Sequence, residues 1–194
     1  YDEAGSKLFE QITLLPEYYP TRTELRILRD RGQEIAAAIP KDAALVEFGA
    51  GATTKVRLML HQCAFDAYVP VDISGDFLND QAEGLRKDFP DLRVYPVTAD
   101  FTKPFLLPPE VSDMPKVGFF HGSTIGNFDP HEACTFLRTP HAPLGDNATM
   151  IVSVDLHQDE QDLNAAATAA DATTEHRTPH GQRPNPRHQP RPLR

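Results

Sequence analysis

The chain has 194 residues, of which 40% are hydrophobic, which is enough for a single domain with a buried core. Its net charge of −9 gives no electrostatic support for binding along a nucleic-acid backbone. It contains no apolar run of about eighteen residues and no secretory leader pattern, so we expect neither a membrane-spanning nor a secreted protein. Cys63 and Cys134 match no metal or disulfide spacing, which favours a reduced, cytoplasmic protein.

Helical and extended patterns alternate along the chain up to about residue 164. The motif T-x-x-E at residues 21–24 predicts a capping box that begins a helix, and Pro40 predicts its end. Asp129 at the N-cap and Glu132 at N3 predict another helix. Apolar runs that predict strands lie between the helical patterns, at residues 44–48, 67–73, 93–101, 117–123 and 148–156.

Apolar strands that alternate with helices predict a parallel sheet covered on both faces. Right-handed crossovers then give a doubly wound, Rossmann-like α/β fold, in which ligands bind beyond the carboxyl ends of the strands. We expect residues 1–40 to form a helical segment that covers the substrate, and residues 41–164 to form a partial core with an incomplete parallel sheet. Residues 165–194, rich in Pro, Arg and His, predict a disordered tail, or alternatively an arm that binds nucleic acid or a partner.

Two glycines, Gly49 and Gly51, follow the first predicted strand and allow a ligand to approach the backbone closely. The spacing is not that of a phosphate-binding P-loop. It is also not a full dinucleotide fingerprint, because Thr54 occupies the place of the third glycine. A strand-to-helix turn that holds no ligand remains the alternative.

Acidic residues follow the next two predicted strands. Asp72 lies roughly twenty positions past the glycines, where nucleotide folds hold ribose hydroxyls, although it could equally be a helix cap or a solvated acid. Asp100 and Phe101 could hold an exocyclic amine and flank a flat ring, or be a surface acid beside a core aromatic. Together with the glycine turn they predict an adenosine pocket. Its acids and its lack of a basic cluster favour S-adenosylmethionine (SAM) over NAD.

The fourth predicted strand is followed by HGSTIGNF, in which small residues leave room and Asn127 offers an amide donor and acceptor. Asn127 could instead cap the next helix. His121 could suggest a base or a metal ligand, but no H-E-x-x-H motif occurs, because Thr135 stands where its second histidine would be. We expect no metal site.

The segments LPEYYPTR, VEFGAGATTK, VPVDIS, TADF and HGSTIGNF, in this order, resemble the histidine-specific, SAM-dependent methyltransferases. That family includes the L-histidine Nα-methyltransferases, which make hercynine through mono- and dimethyl intermediates on the ergothioneine pathway. The resemblance covers about residues 1 to 164. It implies a SAM-dependent N-methyltransferase that acts on the α-amino group of L-histidine.

The resemblance, together with the glycine turn, implies the functional residues. Asn127 would hold the α-amino group and Tyr18 the carboxylate of the amino acid, as the catalytic pair. Methyl transfer would then depend on orientation, without a metal or a strong base. The expected cofactor contacts are Tyr1, Gly49, Gly51, Lys55, Asp72, Asp100 and Phe101.

Members of this family continue beyond the position of Asn164 into further strands and a substrate-binding region. The present sequence instead becomes rich in Arg, Pro and His after Asn164. A reading-frame shift would produce this change, and we expect a truncated form with little or no activity. The alternatives are a non-catalytic fragment that binds adenosine ligands, a methyltransferase for another small amine, and a nicotinamide-dependent oxidoreductase. The expected partner is a small-molecule amino acid, with no nucleic acid and no membrane, and the expected state is a monomer.

Overall fold

The computed structural model describes residues 11–15, 18–138, 141–155 and 168. Tyr1 and, apart from Thr168, the expected tail at 165–194 lie outside the described residues. The helices are α1 (Tyr19–Asp30), α2 (Gly32–Ala37), α3 (Thr54–Gln62), α4 (Gly75–Asp88), α5 (Pro130–Arg138) and α6 (His141–Leu144). The strands are β1 (Ala44–Phe48), β2 (Ala67–Asp72), β3 (Arg93–Val94), β4 (Val97–Thr98), β5 (Lys116–Phe120) and β6 (Thr149–Val152).

The strands form one parallel sheet in the order β3-β2-β1-β5-β6, and β4 pairs with β2 beyond β3. From β1 the chain first builds the sheet outward through β2 to β3 and β4, and then returns to add β5 and β6 on the other side. This reversal confirms the predicted doubly wound architecture and creates a switch point between β1 and β5, where such sheets bind their ligands.

Helices cover both faces of the sheet, as the apolar strands require. Side chains of α1, α3 and α4 pack on one face, against Leu45, Tyr68 and Phe119. Phe136 of α5 packs on the other face, with the second set of strand residues, such as Val46. Within the described part of the chain, no helix is both long and apolar enough to cross a membrane.

The capping box predicted at the start of α1 is wrong. The helix begins at Tyr19, so Thr21 already lies inside its first turn, and the N-cap residue is Tyr18. Glu24 is buried and pairs with Lys55 of α3 at 2.5 Å instead of capping its own helix. The second capping box is confirmed: the Glu132 N–H donates to Oδ1 of Asp129 at 2.8 Å, and the Asp129 N–H donates to Oε2 of Glu132 at 3.0 Å.

The single strand predicted at residues 93–101 consists of two short strands, β3 and β4. Pro96 lies in the gap between them and has no N–H to donate to a ladder. Pairing with β2 resumes at Val97, so that the residues after β4 still reach the carboxyl edge of the sheet.

Candidate functional site

The turn after β1 depends on the glycine that opens it. Gly49 has a φ of +76°, a conformation that favours glycine. The N–H groups of Gly49 and Ala50 both donate to the carbonyl of Val71, at 2.9 and 3.1 Å, so the turn folds over the end of β2. A Cβ atom on Gly49 would lie 3.3 Å from Cε1 of Phe101, whereas one on Gly51 would meet nothing within 4 Å.

Asp72 and Asp100 leave neighbouring strands at the same edge. Asp72 is paired in register with Thr98, and its carbonyl accepts the Ala99 N–H at 2.9 Å. Oδ1 of Asp72 accepts the Ser74 N–H at 2.8 Å, just before α4. The N-cap of α4 is Ser74, so Asp72 is not the helix cap that was its alternative interpretation. Oδ2 of Asp72 makes no hydrogen bond among the described residues, so the carboxylate can also accept one from a ligand.

Asp100 lies in a turn that stabilises its charge. Nζ of Lys103 lies 2.8 Å from its carboxylate, and Oδ1 accepts the Thr102 N–H at 3.0 Å and the Thr102 hydroxyl at 2.5 Å. The hydrogen bond from Lys103, followed by those from Thr102, lowers the pKa of Asp100 to about 2. Asp100 is therefore an anion throughout the neutral range.

Phe101 continues from this turn into the second core cluster, which is the group of buried residues around Val46 and Phe136 on the α5 face of the sheet. Its ring meets those of Phe120 and Phe136 edge-on, at centroid distances of 6.0 and 5.9 Å. The ring is only partly buried, and it lies close to Gly49. The structure thus brings together Gly49, Asp72, Asp100 and Phe101, which we call the strand-end corner. That these residues contact a cofactor stays a prediction.

Lys55, predicted as a cofactor contact by resemblance, lies buried on α3. Its ammonium group forms an ion pair with Oε2 of Glu24 at 2.5 Å and lies 3.2 Å from Nδ1 of His121. Because an ammonium group can only donate, Nδ1 of His121 accepts this hydrogen bond. Lys55 therefore contacts the first residue of the loop after β5. A direct contact between Lys55 and the cofactor stays a prediction.

The sequence patterns do not predict a buried polar chain that joins Tyr68 on β2, Glu47 on β1 and His121 after β5. Nε2 of His121 lies 2.6 Å from Oε1 of Glu47, and Oε2 of Glu47 accepts a hydrogen bond from the Tyr68 hydroxyl. Burial, and then the Glu47 carboxylate, raise the pKa of Tyr68 well above its usual range. The one available signal was an acid inside the apolar run ALVEF, because a buried carboxylate needs partners.

The loop after β5 carries Asn127, which is exposed at the end of the 3₁₀ turn Thr124–Asn127. Gly122 and Ser123 open the loop in the left-handed conformation, with φ of +78° and +54°. The hydroxyl of Ser123 accepts the N–H of Asp155 at 2.8 Å, and the Asp155 carboxylate accepts the Tyr19 hydroxyl at 2.6 Å.

These contacts attach the start of α1, next to Tyr18, to the loop that leads to Asn127. The two residues predicted to hold the amino acid thus belong to segments that meet at one edge of the sheet. His121 is occupied by Glu47 and Lys55, and the described residues contain no group of three or more His, Cys, Asp or Glu side chains that could hold a metal.

A doubly wound parallel sheet with a glycine turn at its switch point and acidic residues at the neighbouring strand ends defines a Rossmann-like α/β protein. Its fold resembles the crystal structure of a candidate methyltransferase from Thermobifida fusca, with a TM-score of 0.52 and 19% identity. The match covers 89% of this chain and 66% of that one.

A family model described as histidine-specific, SAM-dependent methyltransferase matches residues 1–178. The chain is 35% identical to a histidine N-alpha-methyltransferase of Mycobacterium tuberculosis over 167 residues, and 38% identical to that of Mycolicibacterium smegmatis over 168. Each match covers 82% of this chain and 50% of the relative, so the chain spans about half the length of these curated relatives. The chain belongs to the histidine-specific, SAM-dependent methyltransferase family.

Proposed function

We propose that the strand-end corner binds SAM. The observation that carries this proposal is the convergence of the Gly49 turn with Asp72 and Asp100 at adjacent strand ends. Oδ2 of Asp72 can accept a ribose hydroxyl, and the Asp100 turn can accept an exocyclic amine beside the Phe101 ring. The two carboxylates suit a ligand that carries a sulfonium and disfavour one that carries phosphates.

The proposed reaction is methyl transfer to the α-amino nitrogen of L-histidine, in line with the family. Bound SAM would supply an electrophilic methyl group. The amide oxygen of Asn127 can accept an N–H of the substrate amine and so direct the nitrogen lone pair. The Tyr18 hydroxyl can donate to the substrate carboxylate. Contacts to both the amine and the carboxylate would fix the orientation of the amino acid. Catalysis by orientation needs neither a metal nor a nucleophilic side chain.

The amine must be neutral to react, so it must first lose a proton. The buried chain His121–Glu47–Tyr68 makes its side-chain hydrogen bonds among its own members and with Lys55, so these groups are already engaged. We therefore propose that the amine proton passes to water before the methyl group moves, and that Asn127 then accepts a remaining N–H and so directs the lone pair.

The chain matches only about half the length of its curated relatives, and this favours a second candidate function. Since the curated relatives are about twice as long as the matched region, parts of their histidine pocket can lie outside it. The second candidate is a protein that binds an adenosine ligand without methyl transfer. For either function we propose a cytoplasmic monomer that acts on small molecules; Cys63 and Cys134 are both free thiols, which supports a reducing compartment.

Calorimetric titration with SAM, and then with L-histidine, tests these proposals on the 194-residue chain. Heat from both ligands, with methylated histidine detected by mass spectrometry, supports the enzyme, and heat from SAM alone supports the second candidate. Asp72→Asn should weaken SAM binding by about tenfold, the worth of one good charged hydrogen bond. The matched control is Asp76→Asn, which removes an exposed charge on α4. Binding of NAD but not SAM would contradict the proposal.

A further inference from the structure

Glu24 is a buried acid that ties together segments far apart in the chain. Its Oε1 accepts the Gly122 N–H at 2.9 Å and the Ser153 hydroxyl, while its Oε2 pairs with Lys55 at 2.5 Å. The side chains of Glu24 and Lys55 are only 11% and 10% exposed. One carboxylate on α1 thus contacts α3, the loop after β5 and the residue that follows β6.

The charge on this carboxylate is maintained by its partners. Burial by itself would raise the pKa of Glu24, but attraction to Lys55 and the hydrogen bonds from Lys55, Ser153 and Gly122 outweigh it and lower the pKa. A buried ion pair gives little net stability compared with apolar residues of the same size, and its best-attested use is to fix one arrangement.

The arrangement that Glu24 fixes contains strained backbone. Gly122 and Ser123 both have positive φ, and for Ser123 this conformation is costly, so the surroundings must enforce it. Glu24 holds the N–H of Gly122, and the N–H of Asp155 holds the hydroxyl of Ser123. This same loop leads to Asn127, whereas α1 is preceded by Tyr18.

We propose that Glu24 is a positioning residue that fixes α1 against the loop Gly122–Asn127. It thereby sets the separation between Tyr18 and Asn127, the groups that hold the carboxylate and the amine of the amino acid. The consequence for substrate rests on the proposed function; the fixation of the loop does not. Glu24 does not belong to the strand-end corner, although its partner Lys55 is a predicted cofactor contact, so its loss should weaken binding of the amino acid more than binding of SAM.

Hydrogen exchange of the Gly122 amide in the 194-residue chain tests the fixation directly by NMR. In the wild-type chain this loop amide should exchange as slowly as the amides of β5. Glu24→Leu should accelerate its exchange by about tenfold or more, since a charged hydrogen bond is lost. Glu24→Gln retains an acceptor for Gly122 and should stay within about threefold of wild type. The control Glu34→Gln, at an exposed acid paired with Arg31, should change nothing.

Fast Gly122 exchange in the wild-type chain, or an unchanged rate in Glu24→Leu, overturns the fixation. If Glu24→Leu does not fold, the Glu24→Gln chain decides: an exchange rate equal to that of an exposed amide overturns the proposal, and a slow rate supports it.

Titrations of the same variants with SAM and then L-histidine test the consequence for substrate. Glu24→Leu is compared with Glu34→Gln, whereas Glu24→Gln, which retains an acceptor for Gly122, should bind both ligands nearly as the wild-type chain does. Glu24→Leu should raise the Kd of histidine by about tenfold or more and raise that of SAM by clearly less, since it reaches SAM only through Lys55. Equal weakening of both ligands, or of neither, overturns the role toward substrate. Failure of the wild-type chain to bind SAM overturns the proposed function, while the exchange rates still decide the role of Glu24.

Discussion

Gly49 and Phe101 meet across the carboxyl edge of the sheet, where a Cβ atom on Gly49 would lie 3.3 Å from Cε1 of the ring. Gly49 follows β1 and Phe101 follows β4, so their contact closes the corner across the end of β2. The φ of +76° at Gly49 and the proximity of the ring both disfavour a side chain at this position. The shape of the corner therefore depends on one glycine.

Gly49→Ala should destabilise the protein by about 1–2 kcal/mol, because alanine pays this cost for a left-handed backbone. The added methyl group must also displace the Phe101 ring by a few tenths of an ångström. Urea unfolding followed by circular dichroism measures the loss. Gly51→Ala is the matched control, since its Cβ would meet nothing within 4 Å and its φ is not positive. Equal stability of the two variants would contradict this account.

Most of the strands and the corner could be predicted from sequence, because both follow from local patterns and one rule of topology; the break between β3 and β4 was not predicted. The run ALVEF predicts β1 residue for residue, since a parallel strand buried on both faces is apolar almost throughout. The carboxyl ends of parallel strands share an edge, so Asp72 and Asp100 were expected to approach each other. The placement of these two acids at one edge could be predicted without any information about side-chain packing.

The buried polar contacts of Glu24 and Glu47 could not be predicted from sequence, because their partners come close only when the helices and strands pack together. Glu24 matches a local capping motif at the sequence level, but its partner Lys55 is on another helix. Glu47, Tyr68 and His121 come from or follow three different strands, and none has a local partner. Tertiary contact overrides local pattern in both cases.

Lys103→Met should raise the pKa of Asp100 from about 2 toward its ordinary value of 3.8, because Lys103 is the largest cause of the depression. A carboxyl with a depressed folded-state pKa stabilises the fold above its unfolded pKa. This contribution is lost as the pH falls from about 4 toward 2. Carbon-13 NMR of the Asp100 carboxyl measures the midpoint. Lys116→Met removes the same charge from a lysine bonded to Ser112 and should leave the midpoint unchanged.

Tyr68→Phe should destabilise the fold by about 1.5–3 kcal/mol, the range for a hydrogen bond to a charged group. The buried Glu47 carboxylate would then retain His121 as its side-chain partner. Chemical denaturation provides the measurement. Tyr95→Phe is the control, because the Tyr95 hydroxyl makes no hydrogen bond among the described residues while its ring packs on the second core cluster. A loss of equal size in the control would show that the Glu47 contact is not responsible.

Asn127→Ala should weaken L-histidine binding and methyl transfer strongly while leaving SAM affinity almost unchanged. Asn127 is exposed at the end of its 3₁₀ turn and belongs to neither core cluster, so its truncation should cost little stability. Its amide oxygen is the proposed acceptor for the substrate amine, and alanine leaves that N–H to water. We expect a loss of about tenfold or more in histidine affinity, measured by calorimetry with SAM already bound. Asn79→Ala, at an exposed position of α4, is the control. Parallel loss of SAM and histidine binding would instead indicate that Asn127 maintains the fold of the loop.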